Sequence, residues 1–177
     1  MNIICFGDSN TYGYDPRSYL GGRYDADSRR VDILATETGG NVCNMGQNGR
    51  EIPTVAHAFP ADTDLLIVML GTNDLLQGRS PEQAAERLEQ FLSGISLERS
   101  KLLLIAPPPL KRGAWVPDQQ LIDDSCADAR LCQTLAEQLG IHFADAGKWD
   151  IPLAYDSVHF TEQGHRAFAA GLLEVLK

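Results

Sequence analysis

A parallel β-sheet covered by helices on both faces is the fold class this sequence predicts, and three observations predict it. Short runs that are apolar almost throughout recur along the chain, and a strand without polar alternation is one buried on both faces, as in a parallel sheet. Longer segments with apolar residues at helical spacing lie between those runs. The 177 residues suffice for one sizeable core, and no repeat or linker divides them, so residues 1–177 read as a single domain.

Five runs are the expected strands. Asn2–Phe6 ends at Gly7, and Asn41–Asn44 is a short second run. Asp64–Leu70 is the third. Lys101–Ala106 is stopped by Pro107-Pro108-Pro109, which cannot continue a central strand. Ile141–Ala144 is the fifth. Among the helices, Ser80-Pro81-Glu82-Gln83 offers a serine cap with proline at the first helical position. The helix from Pro81 to about Ser93 then places Ala84, Leu88, Phe91 and Leu92 on one stripe. A second covers Asp118–Leu139 and is closed by Gly140. A third covers Thr161–Leu176, and shorter helical patterns span 28–38 and 50–58. Alternation of this kind gives a three-layer α/β/α arrangement with right-handed crossovers.

Charge excludes several functions. The chain has 15 basic and 24 acidic residues, a net charge of -9, and no dense Lys/Arg run. The cationic footprint of nucleic-acid binding is missing, and stable association with an anionic membrane is disfavoured likewise. The start, Met1-Asn2-Ile3-Ile4-Cys5-Phe6, lacks a basic flank and is too short for a signal or a membrane span, so a cytoplasmic location is expected. Cys5, Cys43, Cys126 and Cys132 form no CxxC pair and have no histidines grouped beside them. No metal site is expected; the cysteines read as small buried apolar residues without a disulfide.

Loops after the carboxyl ends of the strands are where such a fold builds its sites. After the first strand comes Gly7-Asp8-Ser9-Asn10-Thr11-Tyr12-Gly13. Ser9 there reads either as a helix cap or as a nucleophile beside free backbone N–H groups. After the second comes Asn44-Met45-Gly46-Gln47-Asn48-Gly49-Arg50, a tight turn that can leave an N–H pointing outward. After the third, Gly71-Thr72-Asn73-Asp74 either turns the chain or donates a side-chain amide into a site. Near the end, Asp156-Ser157-Val158-His159 spaces a carboxylate and an imidazole so that one can orient the other. A hydrolytic serine needs a base, a group that orients the base, and preorganised oxyanion donors. The four loops together supply each of these.

In this combination and order the four segments resemble the blocks of the SGNH, or GDSL-type, esterase and lipase family. Gly7 to Pro16 and Asn48-Gly49-Arg50 are similar to its small-ester arylesterase and acyltransferase branch. The resemblance spans residue 2 to about 172. It implies a flavodoxin-like fold of five parallel strands, with Ser9 as nucleophile, His159 as general base and Asp156 orienting it. It further implies an oxyanion hole of the Ser9 and Gly49 N–H groups with the Asn73 side chain, and no metal or cofactor. Asn10, Thr72, Trp115 and Val158 are the candidate substrate contacts. The implied activity is hydrolysis of short-chain, acetyl-type esters of small or carbohydrate alcohols. Acyl transfer, thioester hydrolysis and lysophospholipid hydrolysis are alternatives at the same site, and a homo-oligomer is compatible with the sequence. The stretch before Asp64 is brief where that branch carries a longer insertion, which often builds the acyl pocket and oligomer contacts.

Two rivals meet specific objections. A two-metal phosphoesterase needs several histidines beside its carboxylates, and three of the four histidines (His57, His142 and His165) lie outside the relevant loops. A phosphate-binding module built on Ser9-Asn10-Thr11 leaves Asn73 and the Asp156–His159 pair without a role. Asp8 and Asp74 read as hydrogen-bonding supports. The loop Pro107–Pro117, with Lys111, Arg112 and Trp115, is either a wall of the substrate site or a plain connection.

Overall fold

All five apolar runs form strands of one parallel sheet in the order β2-β1-β3-β4-β5. The computed structural model describes residues 1–18 and 20–177. The strands are β1 (Asn2–Gly7), β2 (Asn41–Gly46), β3 (Leu65–Met69), β4 (Leu102–Ala106) and β5 (His142–Asp145). Helices α1 (Ser9–Tyr12), α2 (Arg30–Thr38), α3 (Thr72–Leu76), α4 (Pro81–Ser93), α5 (Gln119–Leu139) and α6 (Glu162–Val175) connect and cover them. This is the flavodoxin-like doubly wound order, in which the chain changes direction across the sheet beside β1 and leaves a crevice at the strand ends.

Alternate residues of the central strands feed two cores, which is why the runs show no polar alternation. Ile4, Phe6, Leu66 and Val68 pack with Leu88, Phe91 and Leu92 of α4 and with Cys132 and Leu135 of α5. Ile3, Cys5, Ile67 and Met69 pack on the opposite face with Val31 and Leu34 of α2 and with Phe168 and Leu172 of α6. Each fully buried aliphatic side chain contributes about 1.5–3 kcal/mol of transfer free energy. The helix ends follow their local sequence. Ser80 Oγ accepts from the Gln83 N–H while Gln83 Oε1 accepts from the Ser80 N–H, a reciprocal capping box. Thr161 Oγ1 accepts from the Gly164 N–H at the start of α6.

Two expectations fail. Residues 50–58 form no helix. Pro53 disfavours helical geometry at Ile52, and the Ile52 N–H donates to Asp74 Oδ2 at 2.9 Å, leaving Ile52 extended and buried. Cys43 is exposed, because β2 is the sheet's edge strand and pairs with β1 alone. The described residues include no helix long and apolar enough to cross a membrane.

Candidate active site

Each of the five strand ends delivers a loop to the same edge of the sheet. From β1 the chain enters α1, capped by the Asp8 side chain, which accepts from the Asn10 N–H at 2.9 Å. Burial pushes the Asp8 carboxyl up, opposed by that N–H and by the charge of Arg30. Ser9 sits on the first residue of α1, with the site's approach open to its side chain. β2 can lie this close to α1 only because residue 46 is glycine; a Cβ there would stand 2.0 Å from the Tyr12 backbone nitrogen. After Gln47, Gly49 takes a left-handed φ of 70°, a conformation glycine adopts without strain.

His159 lies in the loop between β5 and α6. Its Nε2 is 3.0 Å from Ser9 Oγ and its Nδ1 is 2.7 Å from Asp156 Oδ2. The carboxylate contact fixes the neutral ring with its proton on Nδ1, leaving Nε2 as acceptor for the Ser9 hydroxyl. Asp156 is fully buried, and its second oxygen accepts from the Val158 and His159 N–H groups at 3.0 and 2.9 Å. Burial alone would push the carboxyl up; the hydrogen bonds from His159 and Val158 outweigh it and hold Asp156 below the usual carboxylate range. Ser157 completes the tight loop with a left-handed φ of 62°, its Oγ donating to the Arg112 carbonyl.

The Ser9 and Gly49 N–H groups are taken by no backbone carbonyl among the described residues. The Asn73 side chain is oriented by donating one Nδ2 hydrogen to the Arg50 carbonyl at 3.0 Å. Ser9, Gly49, Asn73 and His159 line one cleft of about 350 Å³, walled by Tyr14, Leu76, Trp115 and Val158. The Tyr14 and Trp115 rings meet the His159 imidazole edge-on, at 4.7 and 5.3 Å between centroids. A serine hydroxyl bonded to a carboxylate-backed imidazole, in one cleft with the N–H-bearing Ser9, Gly49 and Asn73, has the connectivity needed to attack an ester carbonyl and to hold the oxyanion.

The other candidates separate clearly. Trp115 and Val158 line the cleft, so the loop after β4 forms one of its walls. Thr72 is buried beside Leu110, Ser125 and Asp128, away from that cleft. Asn10 is also buried, its amide engaged with the His159 loop. Asp8 caps α1, and Asp74 accepts from Ile52 and is paired with Arg87 at 3.3 Å. His57 lies against Phe6 and Phe59 in a loop rather than a helix, and His142 is exposed at the start of β5. Tyr14 and Leu76 wall the cleft beyond the expected contacts; Tyr14 falls within the Gly7 to Pro16 segment, but nothing in its spacing fixes its direction.

The chain belongs to the GDSL-like lipase/acylhydrolase family, whose sequence model matches residues 5–167. It is a carboxylic ester hydrolase of that family with the fold of its solved members. A presumed arylesterase of Agrobacterium tumefaciens is 29% identical over 99% of this chain and 97% of its own, with a TM-score of 0.81. The aryl esterase of M. smegmatis is 27% identical over 99% and 97%, with a TM-score of 0.79. A carbohydrate acetylesterase family member from Sinorhizobium meliloti is 25% identical over 99% and 96%, with a TM-score of 0.82. Among proteins with curated descriptions, none matches the chain.

Proposed function

We propose that residues 1–177 act as one serine esterase domain that hydrolyses short-chain, acetyl-type esters of small or carbohydrate alcohols through an acyl-enzyme on Ser9. The carrying observation is the continuous chain from Ser9 Oγ through His159 to Asp156, at 3.0 and 2.7 Å, opening into the cleft that Gly49 and Asn73 share. His159 Nε2 takes the Ser9 proton as Oγ bonds to the ester carbonyl carbon. The oxyanion is held by the Ser9 and Gly49 N–H groups and the free Asn73 Nδ2 hydrogen. As the tetrahedral intermediate collapses, the bond to the alcohol oxygen breaks and Nε2 protonates the leaving alcohol. Water then repeats the sequence, Nε2 accepting its proton and returning one to Ser9 Oγ. Asp156 stays ionised, holding the ring and stabilising the imidazolium.

The cleft of about 350 Å³ supports a small ester, being near the lower end of ligand-site volumes. Similarity to an aryl esterase and to a carbohydrate acetylesterase family member supports the choice of acyl and alcohol classes. Ser9→Ala assayed on p-nitrophenyl acetate is expected to lower kcat by about 10⁴-fold or more. A variant that keeps most of its activity would overturn the assignment of the nucleophile. Comparison of acetyl with longer acyl esters, acetylated sugars included, tests the substrate class.

A further inference from the structure

We propose that Asn10 is a positioning residue that fixes the His159 loop against the Ser9 turn independently of the Ser9–His159 hydrogen bond. The proposal rests on the reading of Ser9 and His159 given above. Asn10 Nδ2 donates to the Val158 carbonyl at 3.1 Å, and Asn10 Oδ1 accepts from the Phe160 N–H at 2.9 Å. One amide therefore grips the backbone on both sides of His159 and is itself the neighbour of Ser9. Among the described residues, these two bonds and the Ser9–His159 pair are the only hydrogen bonds between residues 8–13 and 153–160.

Asn10 is anchored in turn. Its N–H donates to Asp8 Oδ1 at 2.9 Å, and its carbonyl accepts from Arg30 Nε at 3.0 Å. Arg30 is buried, donates also to Thr11 Oγ1, and lies 3.9 Å over the Phe168 ring of α6. Asn10 does not line the cleft, and both polar ends of its side chain are occupied within the protein.

The reaction supplies the reason such a clasp matters. Once Ser9 Oγ is acylated it has no proton to donate, so the Ser9–His159 bond is lost between the two half-reactions. Nε2 must nevertheless stay within reach of the acyl carbon's attacking water. Asp156 cannot provide that constraint, because it sits three residues from His159 on the same loop and moves with it. Asn10 joins the loop to the nucleophile turn whatever the state of Oγ.

Asn10→Leu tests this directly, since the family's name spells Gly-Asp-Ser-Leu and Asn10 occupies the leucine's place. The substitution deletes both bonds while keeping the side chain's branching and number of heavy atoms. With p-nitrophenyl acetate, deacylation should slow more than acylation, because in acylation the Ser9–His159 bond still holds the loop, so kcat per titrated active site falls about 10- to 100-fold and KM falls with it. Asn10→Asp, which keeps the acceptor for Phe160 but sets a buried carboxylate oxygen against the Val158 carbonyl, should lose at least as much as Asn10→Leu. The downfield Nδ1 proton of His159, assigned by its loss in His159→Ala, should exchange with water faster in both variants. Wild-type rates per active site would overturn the proposal, as would slowed acylation alone with a raised KM, the signature of a substrate contact. An unchanged Nδ1 exchange rate would overturn it too. The proton measurement needs no turnover, so it still judges the clasp if Ser9→Ala shows that another group is the nucleophile.

Discussion

Two buried histidines, six positions apart, meet opposite sets of partners in this protein. His159 lies between the Tyr14 and Trp115 rings, and His165 between Tyr24 and Phe160, each of whose centroids is 5.4 Å from its own. Both imidazoles are buried and edged by aromatics, though only His159 lines the cleft. They differ in partners: His159 has a carboxylate at 2.7 Å and a hydroxyl at 3.0 Å, whereas neither ring nitrogen of His165 has a partner among the described residues. An imidazolium forming at His159 meets Asp156, but one at His165 would meet the charge of Arg30 with no carboxylate to offset it. Burial first, then Arg30, drives the His165 pKa down to about 3. Burial therefore makes an imidazole a poor base, and a paired carboxylate is what allows a buried one to serve as a proton acceptor.

The strongest way to break the contrast is to give His159 the surroundings of His165. Asp156→Asn keeps the shape of the loop but removes the charge and the tautomer control, and kcat on p-nitrophenyl acetate is expected to fall about 10⁴-fold. Trp115→Ala opens one side of the aromatic sandwich while leaving the hydrogen bonds in place. Its kcat/KM on the same ester should fall about threefold to tenfold, the scale of one aromatic contact. The smallest effect on rate belongs to His165→Leu, which should leave kcat unchanged and alter only the stability profile. In the unfolded chain His165 takes a proton near pH 6.5, whereas the native protein resists until about 3. Between those values the unfolded state binds the extra proton, so acid destabilises the wild type. Urea unfolding from pH 6.5 to 4.5 should show the wild type losing about 1.4 kcal/mol per pH unit relative to His165→Leu. Asp128 titrates in the opposite sense, burial raising its carboxyl to about 7, and it cancels in the difference because both proteins carry it.

Much of the architecture was legible because the signals are local. Runs such as Leu65–Met69 are apolar on both faces, and the Ser80 cap and Gly140 stop act within one turn of their helices. The segment 50–58 was misread because its helical spacing competes with Pro53 and with a distant acceptor, Asp74, that no local pattern reveals. The site was legible as residue types in four loops. The direction of each side chain was not. Asn10 and Thr72 stand beside Ser9 and Asn73 in the sequence, yet the turns of α1 and α3 point them into the protein. The aromatic walls come from residues 101 apart, Tyr14 and Trp115, and only the sheet order brings them to one imidazole.

Covalent labelling with a fluorophosphonate, mapped by mass spectrometry, puts the proposed chemistry to its most direct test, because the reagent reacts only where a base activates a hydroxyl beside an oxyanion hole. The expected result is a single adduct on Ser9 in the wild type, abolished turnover in the labelled protein, and no adduct in His159→Ala. An adduct on a different serine, or full turnover with Ser9 labelled, would contradict the assignment of Ser9 as the residue that His159 activates.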